Sequence, residues 1–152
     1  MRWFEDFTPG EVIALGSYVV ERDEMVDFAR RYDPQPFHVD EVAARASAFG
    51  GLAASGWLTA AVWMRLFVDA VLRDAAGLGS PGVEQLRWEV PVRPGDVLTG
   101  SLRVEAAAPS SRSTDRGTVH LSGALHNDGG QRVMSLRARA FFTRRAAGGG
   151  VT

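Results

Sequence analysis

The sequence contains no cysteine, which excludes disulfide bonds, thiolate nucleophiles and cysteine-ligated metal sites. The central segment 52–64 carries no charge but is only about 13 residues long, whereas a transmembrane helix needs roughly 20. Apolar residues at the N-terminus are interrupted by charges, so we expect no signal peptide and no membrane association, and we predict a cytoplasmic protein. The serine-hydrolase pattern G-x-S-x-G and the nucleotide-binding P-loop are also absent.

An excess of charge of one sign is lacking too. The net charge is −1, so the chain offers no strong basic field for a nucleic acid. With 152 residues, of which 45% are hydrophobic, the chain is large enough for one domain with a substantial core. We assign that domain to residues 1–145, and we expect the glycine-rich tail 146–152 to be disordered.

A long helix, from Ser55 to about residue 75, is predicted to be the element around which the chain is organised. Its long charged side chains before the last turn are Arg65, Asp69 and Arg73, which are four residues apart and form one narrow polar stripe. The rest of the helix surface is apolar, so other elements must cover it.

The start of this helix has features of a binding site. Ser55 is a good N-cap, whose hydroxyl would accept a hydrogen bond from the second or third helical amide. The first amide, that of Gly56, would then stay free at the positive end of the helix dipole, with no side chain in front of it. Such an amide can hold an oxyanion. Alternatively, Gly56 only lets the helix pack closely against a neighbour.

Three elements are predicted before the central helix. A strand over 11–20 is broken or bulged near Gly16. A helix follows, with Asp23 as its cap. A second, short helix begins with Asp40 as its cap and extends to about residue 48, which gives Asp40 a structural role.

Four strands are predicted after the central helix, following a loop at 77–82. Apolar and polar residues alternate over 85–90, 98–105, 118–126 and 134–142. The sequence Asn-Asp-Gly-Gly between the last two strands predicts a hairpin. One antiparallel sheet with the central helix on its apolar face accounts for these patterns, so we predict an α+β fold.

The loop between the two early helices is the strongest candidate for a site. Pro34 and Pro36 fix their own φ angles and stiffen the segment that carries Asp33 and His38. If this segment were fully extended, the two side chains would lie roughly 16 Å apart. A turn at the prolines is therefore required to bring them to one point.

The other histidines indicate no site of their own. His120 and His126 share the polar face of one predicted strand with hydroxyl residues, so we interpret them as solvated. With no cysteine and no carboxylate cluster around them, we expect no metal site.

Four short motifs carry a resemblance to a known family. They are Tyr-Asp-Pro-Gln-Pro-Phe-His-Val-Asp at 32–40, Phe-Gly-Gly at 49–51, Ala-Ser-Gly-Trp at 54–57 and Pro-Val-Arg-Pro-Gly-Asp at 91–96. Together they resemble the MaoC-like acyl dehydratases, the (R)-specific enoyl-CoA hydratase 2 family, over about residues 3–142. The resemblance implies a hotdog fold, in which an antiparallel sheet wraps a long central helix, and a homodimer or higher homo-oligomer.

The resemblance also implies which residues are catalytic. The family's Asp-x-Asn-Pro-x-His pattern falls on Asp33 and His38, and its oxyanion amide falls on Gly56. This sequence departs from the family twice, with Gln35 in place of the asparagine and Ser55 in place of a histidine before the glycine. The candidate substrate-binding residues are Ser55, Trp57 and Gln35.

By this resemblance, the expected reaction is the reversible addition of water to a trans-2-enoyl-CoA thioester, which gives an (R)-3-hydroxyacyl-CoA without a cofactor. Asp33 would be the principal base, His38 would position the water and relay a proton, and the Gly56 amide would hold the enolate oxygen. Trp57, Trp63 and residues of the first two helices are expected to line the tunnel for the acyl chain.

Two other functions are compatible with the same fold. An acyl-CoA thioesterase would use Asp33 to direct water at the thioester carbonyl, and a non-catalytic module would only bind acyl-CoA. Arg87 and Arg93 are weaker candidates for contacts with the CoA phosphates and are not counted as site residues.

Overall fold

The chain folds into a five-stranded antiparallel sheet that packs against one long helix. This computed structural model describes residues 1–146. The helices are α1 (Arg22–Tyr32), α2 (Pro36–Val39), α3 (Glu41–Ala46) and α4 (Gly56–Ala70), and the strands are β1 (Val12–Val19), β2 (Gly77–Trp88), β3 (Val97–Pro109), β4 (Arg116–His126) and β5 (Arg132–Thr143). The predicted tail lies outside the described residues apart from Ala146, and the domain boundary at 145 stays a prediction.

The strands lie in the order β1-β3-β4-β5-β2, and every neighbouring pair is antiparallel. Burial alternates along the central strands. In β4, Val119, Leu121 and Leu125 are buried, whereas His120 and Ser122 are partly exposed. One face of the sheet is therefore apolar and covered, and the other is polar. The predicted α+β architecture, an antiparallel sheet around a long helix, is confirmed.

The central helix α4 begins at Gly56, with Ser55 as its N-cap, as predicted. Ser55 Oγ accepts a hydrogen bond from the Trp57 amide at 3.3 Å. The helix ends at Ala70, about one turn earlier than expected, because Val71 leaves the helical region with φ −132° and ψ −56°. The chain then continues as a short 3-10 turn.

The predicted polar stripe is confirmed, although Arg73 lies in the 3-10 turn that follows α4. Asp69 forms ion pairs with Arg65, at 2.6 Å from Nε to Oδ2, and with Arg73. The opposite side of the helix is buried in the core, through Leu58, Val62, Trp63, Leu66 and Phe67. None of the helices in residues 1–146 is long and apolar enough to span a membrane.

The first helix differs from the sequence prediction at its start. α1 begins at Arg22, and Glu21 occupies the N-cap position without a side-chain hydrogen bond. The prediction that Asp23 caps the helix is wrong, since Asp23 lies within the first turn. An acidic side chain there still interacts favourably with the helix dipole, which explains why both positions suit an aspartate.

The segment after α1 contains a turn of helix that the sequence did not predict. α2 begins at Pro36, and proline is favoured at a first helical position because its missing N–H is not needed there. Asp40 caps α3 as predicted, with Oδ1 accepting a hydrogen bond from the Ala43 amide at 2.9 Å. α3 ends at Ala46, slightly earlier than expected.

The glycine-rich segment 77–82, predicted as a loop, is the first part of β2 and pairs irregularly with β5. Gly79 and Gly82 have φ values of 95° and 141°, which other residues rarely adopt. The segment has the spacing G-x-G-x-x-G, but a dinucleotide-binding turn leads from a strand into a helix, and this one opens an edge strand. The bulge predicted near Gly16 is confirmed by a register shift after Ala14.

Trp63 of α4 sets the distance between the helix and the sheet. Its ring is buried, and its Nε1 donates a hydrogen bond to the Ser101 carbonyl of β3 at 3.2 Å. The ring lies directly on Gly123 of β4, where an added Cβ would fall well inside van der Waals contact. This packing therefore requires glycine at position 123.

Replacing Gly123 with alanine should push the Trp63 ring away from β4. Overpacking of this kind costs about 1–3 kcal/mol of unfolding free energy, and each kcal/mol lowers the Tm of a chain of this size by about 2–4 °C. Urea and thermal unfolding would measure both effects. The control is Gly77→Ala, whose new Cβ would meet only ordinary contacts at 3.9 Å. Equal stability of the two variants would contradict the proposed packing role.

Candidate active site

Three elements of the fold meet at one cavity of about 540 Å³. Asp33 directly follows α1, His38 lies on α2, and Gly56 begins α4, and all three residues line the cavity. The one-turn helix α2 supplies the turn that the stiff proline segment needed. The three predicted catalytic positions therefore lie together.

Asp33 and His38 face each other at the cavity wall. His38 Nε2 lies 3.3 Å from Asp33 Oδ2. The exposed fractions of the two side chains are 7% for His38 and 18% for Asp33, so both are mostly shielded from bulk water. A molecule in the cavity can reach a carboxylate oxygen and a ring nitrogen at the same time.

The second ring nitrogen of His38 determines the tautomer. Nδ1 lies 2.7 Å from the carbonyl oxygen of Ala53. A carbonyl oxygen only accepts hydrogen bonds, so Nδ1 carries the hydrogen and donates it. In the neutral ring, Nε2 then has a lone pair that can accept a proton from the cavity.

Two neutral side chains hold the Asp33 carboxylate. Gln35 Nε2 donates to Oδ1 at 2.7 Å, and Ser55 Oγ donates to Oδ2 at 2.8 Å. The same Ser55 oxygen accepts the hydrogen bond from the Trp57 amide that caps α4. Ser55 therefore connects the carboxylate directly to the start of the central helix.

The pKa of Asp33 lies below its ordinary value. Partial burial alone would raise it, because burial disfavours the charged form. The hydrogen bonds from Gln35 and Ser55, and the charge of a protonated His38, act in the opposite direction and outweigh the burial. Asp33 is therefore a carboxylate at neutral pH.

Gly56 has no room for a side chain, and its amide is free. The Trp88 ring lies against its Cα, so an added Cβ would collide with the ring. Trp88 also packs edge-on against Trp57, with ring centroids 5.2 Å apart. Within the described part of the chain, the Gly56 amide makes no hydrogen bond. The close approach of a neighbour requires glycine here, and the oxyanion role stays a prediction.

A second cavity, of about 560 Å³, lies between α4 and the β2 side of the sheet. Its lining is mainly apolar and includes Phe67, Leu86 and Phe142 as well as Trp63. Trp57, which is 60% exposed, borders both cavities. Its side chain is therefore shared by the cavity that contains Asp33 and by the second, apolar cavity.

Comparison with known proteins identifies the family. The model of the MaoC-like domain matches residues 6–123. The chain belongs to the MaoC-like domain family. The (R)-specific enoyl-CoA hydratase of Rhodospirillum rubrum is 30% identical over 139 residues, which cover 88% of this chain and 92% of that protein.

Solved structures give the same result. The crystal structure of a MaoC-like dehydratase from Rhodospirillum rubrum is 41% identical, with a TM-score of 0.88, and the match covers 95% of this chain and 99% of that one. The (R)-hydratase from A. caviae, at 23% identity and a TM-score of 0.70, shares the fold over 90% of this chain and 97% of its own. The MaoC-like chain has the hotdog fold, and its family includes enoyl-CoA hydratases and dehydratases.

The three predicted substrate-binding residues of this MaoC-like protein lie in different places. Gln35 and Trp57 line the cavity. Ser55 is 0% exposed, and its hydroxyl is engaged by Asp33 and by the α4 backbone. The Ser55 hydroxyl therefore holds the Asp33 carboxylate, and a direct contact of Ser55 with a substrate stays a prediction.

Several residues at the cavity were not found from the sequence. Trp88 and Thr59 line it, but in the sequence they are recognisable only as members of a strand pattern and of a helix. Their positions depend on contacts between distant parts of the chain, which leave no local signal. The guanidinium of Arg93 donates to backbone carbonyls, and its suggested phosphate contact stays a prediction. Arg87 lies exposed on the polar face of the sheet.

Replacing Ser55 with alanine should raise the pKa of Asp33 in the folded protein, because one hydrogen bond to the carboxylate is lost. The pKa of Asp33 in the folded protein lies below its unfolded value of about 3.9. Ionised Asp33 therefore stabilises the fold fully above the unfolded pKa, and this stabilisation is lost as the pH falls through the folded pKa. The stabilisation should shrink in the variant. Carbon-13 NMR titration of the Asp33 carboxyl and urea unfolding between neutral and acidic pH would measure both changes.

The matched control for this variant is Asp40→Ala. It removes another N-cap hydrogen bond, that to the Ala43 amide, at a residue that does not line the cavity. Each variant should lose about 1 kcal/mol of stability from its cap, but only Ser55→Ala should change the titration of Asp33. An unchanged Asp33 titration in Ser55→Ala would contradict the role given to this hydroxyl.

Proposed function

We propose that this protein reversibly adds water to a trans-2-enoyl-CoA thioester and forms an (R)-3-hydroxyacyl-CoA, as a hydro-lyase. The observation that carries the proposal is the pairing of Asp33 Oδ2 with His38 Nε2, 3.3 Å apart, in one cavity with the free amide of Gly56. The name of the Rhodospirillum rubrum relative, an (R)-specific enoyl-CoA hydratase, supports the same reaction.

In the proposed mechanism, a water molecule binds between Asp33 and His38. Its oxygen adds to C3 of the enoyl group, while one of its protons passes to the Asp33 carboxylate or to Nε2 of His38. The electron pair of the double bond moves to the thioester oxygen and gives an enolate. The protonated pair then returns a proton to C2, which completes the addition of water. Dehydration follows the same steps in reverse.

The start of α4 stabilises the enolate in this proposal. Charge develops on the thioester oxygen, and the Gly56 amide can donate a hydrogen bond to it at the positive end of a fifteen-residue helix. The apolar lining around the site lowers the local dielectric, which strengthens this interaction. The reaction needs no redox step and no Lewis acid, so we propose that it proceeds without a cofactor.

The acyl chain of the substrate is proposed to pass Trp57 into the apolar cavity. That cavity offers about 560 Å³ with mainly apolar walls, which suits a hydrocarbon chain. The thioester then lies in the cavity that contains Asp33 and His38, and the CoA group extends to the surface. A cytoplasmic location stays a prediction from the sequence.

We also propose a homodimer formed through β2. This strand is an open edge of the sheet, and open antiparallel edges tend to be covered. Large apolar side chains are exposed along β2 and on the neighbouring side of α4, namely Leu78, Val83, Trp88, Trp57 and Met64. A second copy paired along β2 would cover this apolar surface together with the apolar cavity.

Asp33→Asn and His38→Ala should each lower turnover of crotonyl-CoA by about 100-fold or more, the contribution expected of general acid–base groups. Loss of the enoyl thioester absorbance would measure the rate. His126→Ala is the control, since His126 lies on the polar face of β4 away from the cavity, and it should keep wild-type turnover. Near-normal turnover in either site variant would remove that residue from the mechanism.

The same assay separates the alternatives. Hydration leaves the thioester intact, so a thiol reagent should detect no free CoA. Release of free thiol at the rate of substrate loss would instead indicate a thioesterase. Tight binding of crotonyl-CoA with no loss of enoyl thioester absorbance and no release of free thiol would indicate a non-catalytic module.

The proposed dimer predicts an asymmetry between the two edges of the sheet. Val83→Lys on β2 should yield monomers, because it buries a charge in the interface, whereas Val12→Lys on β1 should not. The two valines are similarly exposed, at 56% and 61%. Sedimentation velocity would measure the oligomeric state of the wild type and of both variants. A monomeric wild type, or a dimer that persists in Val83→Lys, would contradict this interface.

A further inference from the structure

The Arg93 side chain binds backbone rather than an acidic partner. Its Nη1 donates to the carbonyls of Gly51, at 2.8 Å, and Leu52, at 3.2 Å, and its Nη2 donates to the carbonyl of Phe49. Among residues 1–146, no carboxylate pairs with this guanidinium. The partly buried guanidinium thus binds three carbonyls of one loop, within residues 49–52.

The loop that Arg93 holds also supplies the partner of His38. The carbonyl after the three bound ones is that of Ala53, which accepts the hydrogen bond from His38 Nδ1 at 2.7 Å. On the other side, the Ala54 amide donates to the Val92 carbonyl at 2.9 Å. Hydrogen bonds therefore hold the chain on both sides of the Ala53 carbonyl group.

Aromatic rings also pack around the buried His38 ring, and the Ala53 amide donates to the Phe37 carbonyl at 3.3 Å. Phe37 packs edge-on against the His38 ring, with centroids 4.6 Å apart, and Phe37 also contacts Phe49, at 4.9 Å, on the loop that Arg93 holds. A rotation of this loop would therefore move both the acceptor of Nδ1 and the aromatic ring beside His38.

We propose that Arg93 is a positioning residue for His38. By holding the loop, it keeps the Ala53 oxygen where it selects the Nδ1–H tautomer and leaves the Nε2 lone pair facing Asp33 and the cavity. In the other tautomer, Nε2 would carry the hydrogen and the neutral ring could not accept a proton there. The consequence for catalysis rests on the proposed hydratase function, whereas the effect on the tautomer does not.

The role requires arginine because of its shape. A planar guanidinium presents donors in a rigid fork and reaches several carbonyls at once, whereas a lysine ammonium is a single point at the end of a flexible chain. Arg93→Lys keeps the charge but loses the fork. This substitution therefore tests the geometry separately from the charge.

Nitrogen-15 NMR of the histidine rings tests the proposal directly. The chain has only three histidines, so the spectrum is simple, and His38→Ala identifies the His38 signals by their loss. With neutral rings, wild-type Nδ1 should show the shift of a protonated nitrogen and Nε2 that of an unprotonated one. In Arg93→Lys and Arg93→Ala the two shifts should move toward each other as the tautomers mix, while His120 and His126 stay unchanged.

Steady-state kinetics give the second measurement. Arg93→Lys should lower kcat for crotonyl-CoA hydration by about 10-fold or more with little change in KM, since the loss concerns the orientation of a reacting group. Arg103→Lys is the control, because Arg103 is an exposed arginine on the polar face of the sheet, and it should leave shifts and kcat unchanged.

The outcomes separate this inference from the proposed function. A wild-type ring protonated on Nε2, or wild-type shifts retained in Arg93→Lys, would overturn the inference even if the protein is a hydratase. Mixed tautomers in the Arg93 variants of a protein that does not hydrate enoyl-CoA would support the positioning role and reject the hydratase.

Discussion

The hydrogen bond from Ser55 to Asp33 joins the fold to the candidate site. Ser55 is completely buried, caps the helix that the sheet encloses, and donates its only hydroxyl hydrogen to the carboxylate. The position of Asp33 therefore depends on where α4 begins, and α4 begins where its apolar side meets the sheet. The side-chain oxygen of Ser55 thus both caps the core helix and positions the Asp33 carboxylate.

The electrostatic state of the site follows from the same arrangement. Neutral donors from Gln35 and Ser55 keep Asp33 ionised despite its partial burial, and they do so without a permanent cation beside it. His38 obtains its tautomer from a backbone carbonyl, so its Nε2 is free to accept a proton. A carboxylate, an imidazole and a helix N-terminus thus line one cavity.

Much of this was predictable because the chain's local patterns agree with its fold. Alternation predicted three strands closely, and short-range chemistry predicted the caps at Ser55 and Asp40 and the bulge near Gly16. The first half of β2 was missed because an exposed, glycine-rich edge strand has no apolar alternation. Contacts of Trp88 and Arg93 were missed because each joins segments far apart in sequence, and such contacts depend on the finished packing. The catalytic positions came from the family resemblance, and the spacing of Asp33 and His38 alone did not determine them.

Serine in place of the family's histidine before Gly56 has a chemical consequence of its own. An aliphatic hydroxyl stays neutral throughout the pH range in which proteins are folded, whereas an imidazole at the same place would titrate near neutrality. In this chain, acidification therefore adds no second positive charge next to Asp33 at the N-terminus of α4. Among the described residues, the ionisable side chains that line the cavity are Asp33, His38 and Glu89. Position 55 therefore contributes no charge of its own at the start of α4, in contrast to a histidine there.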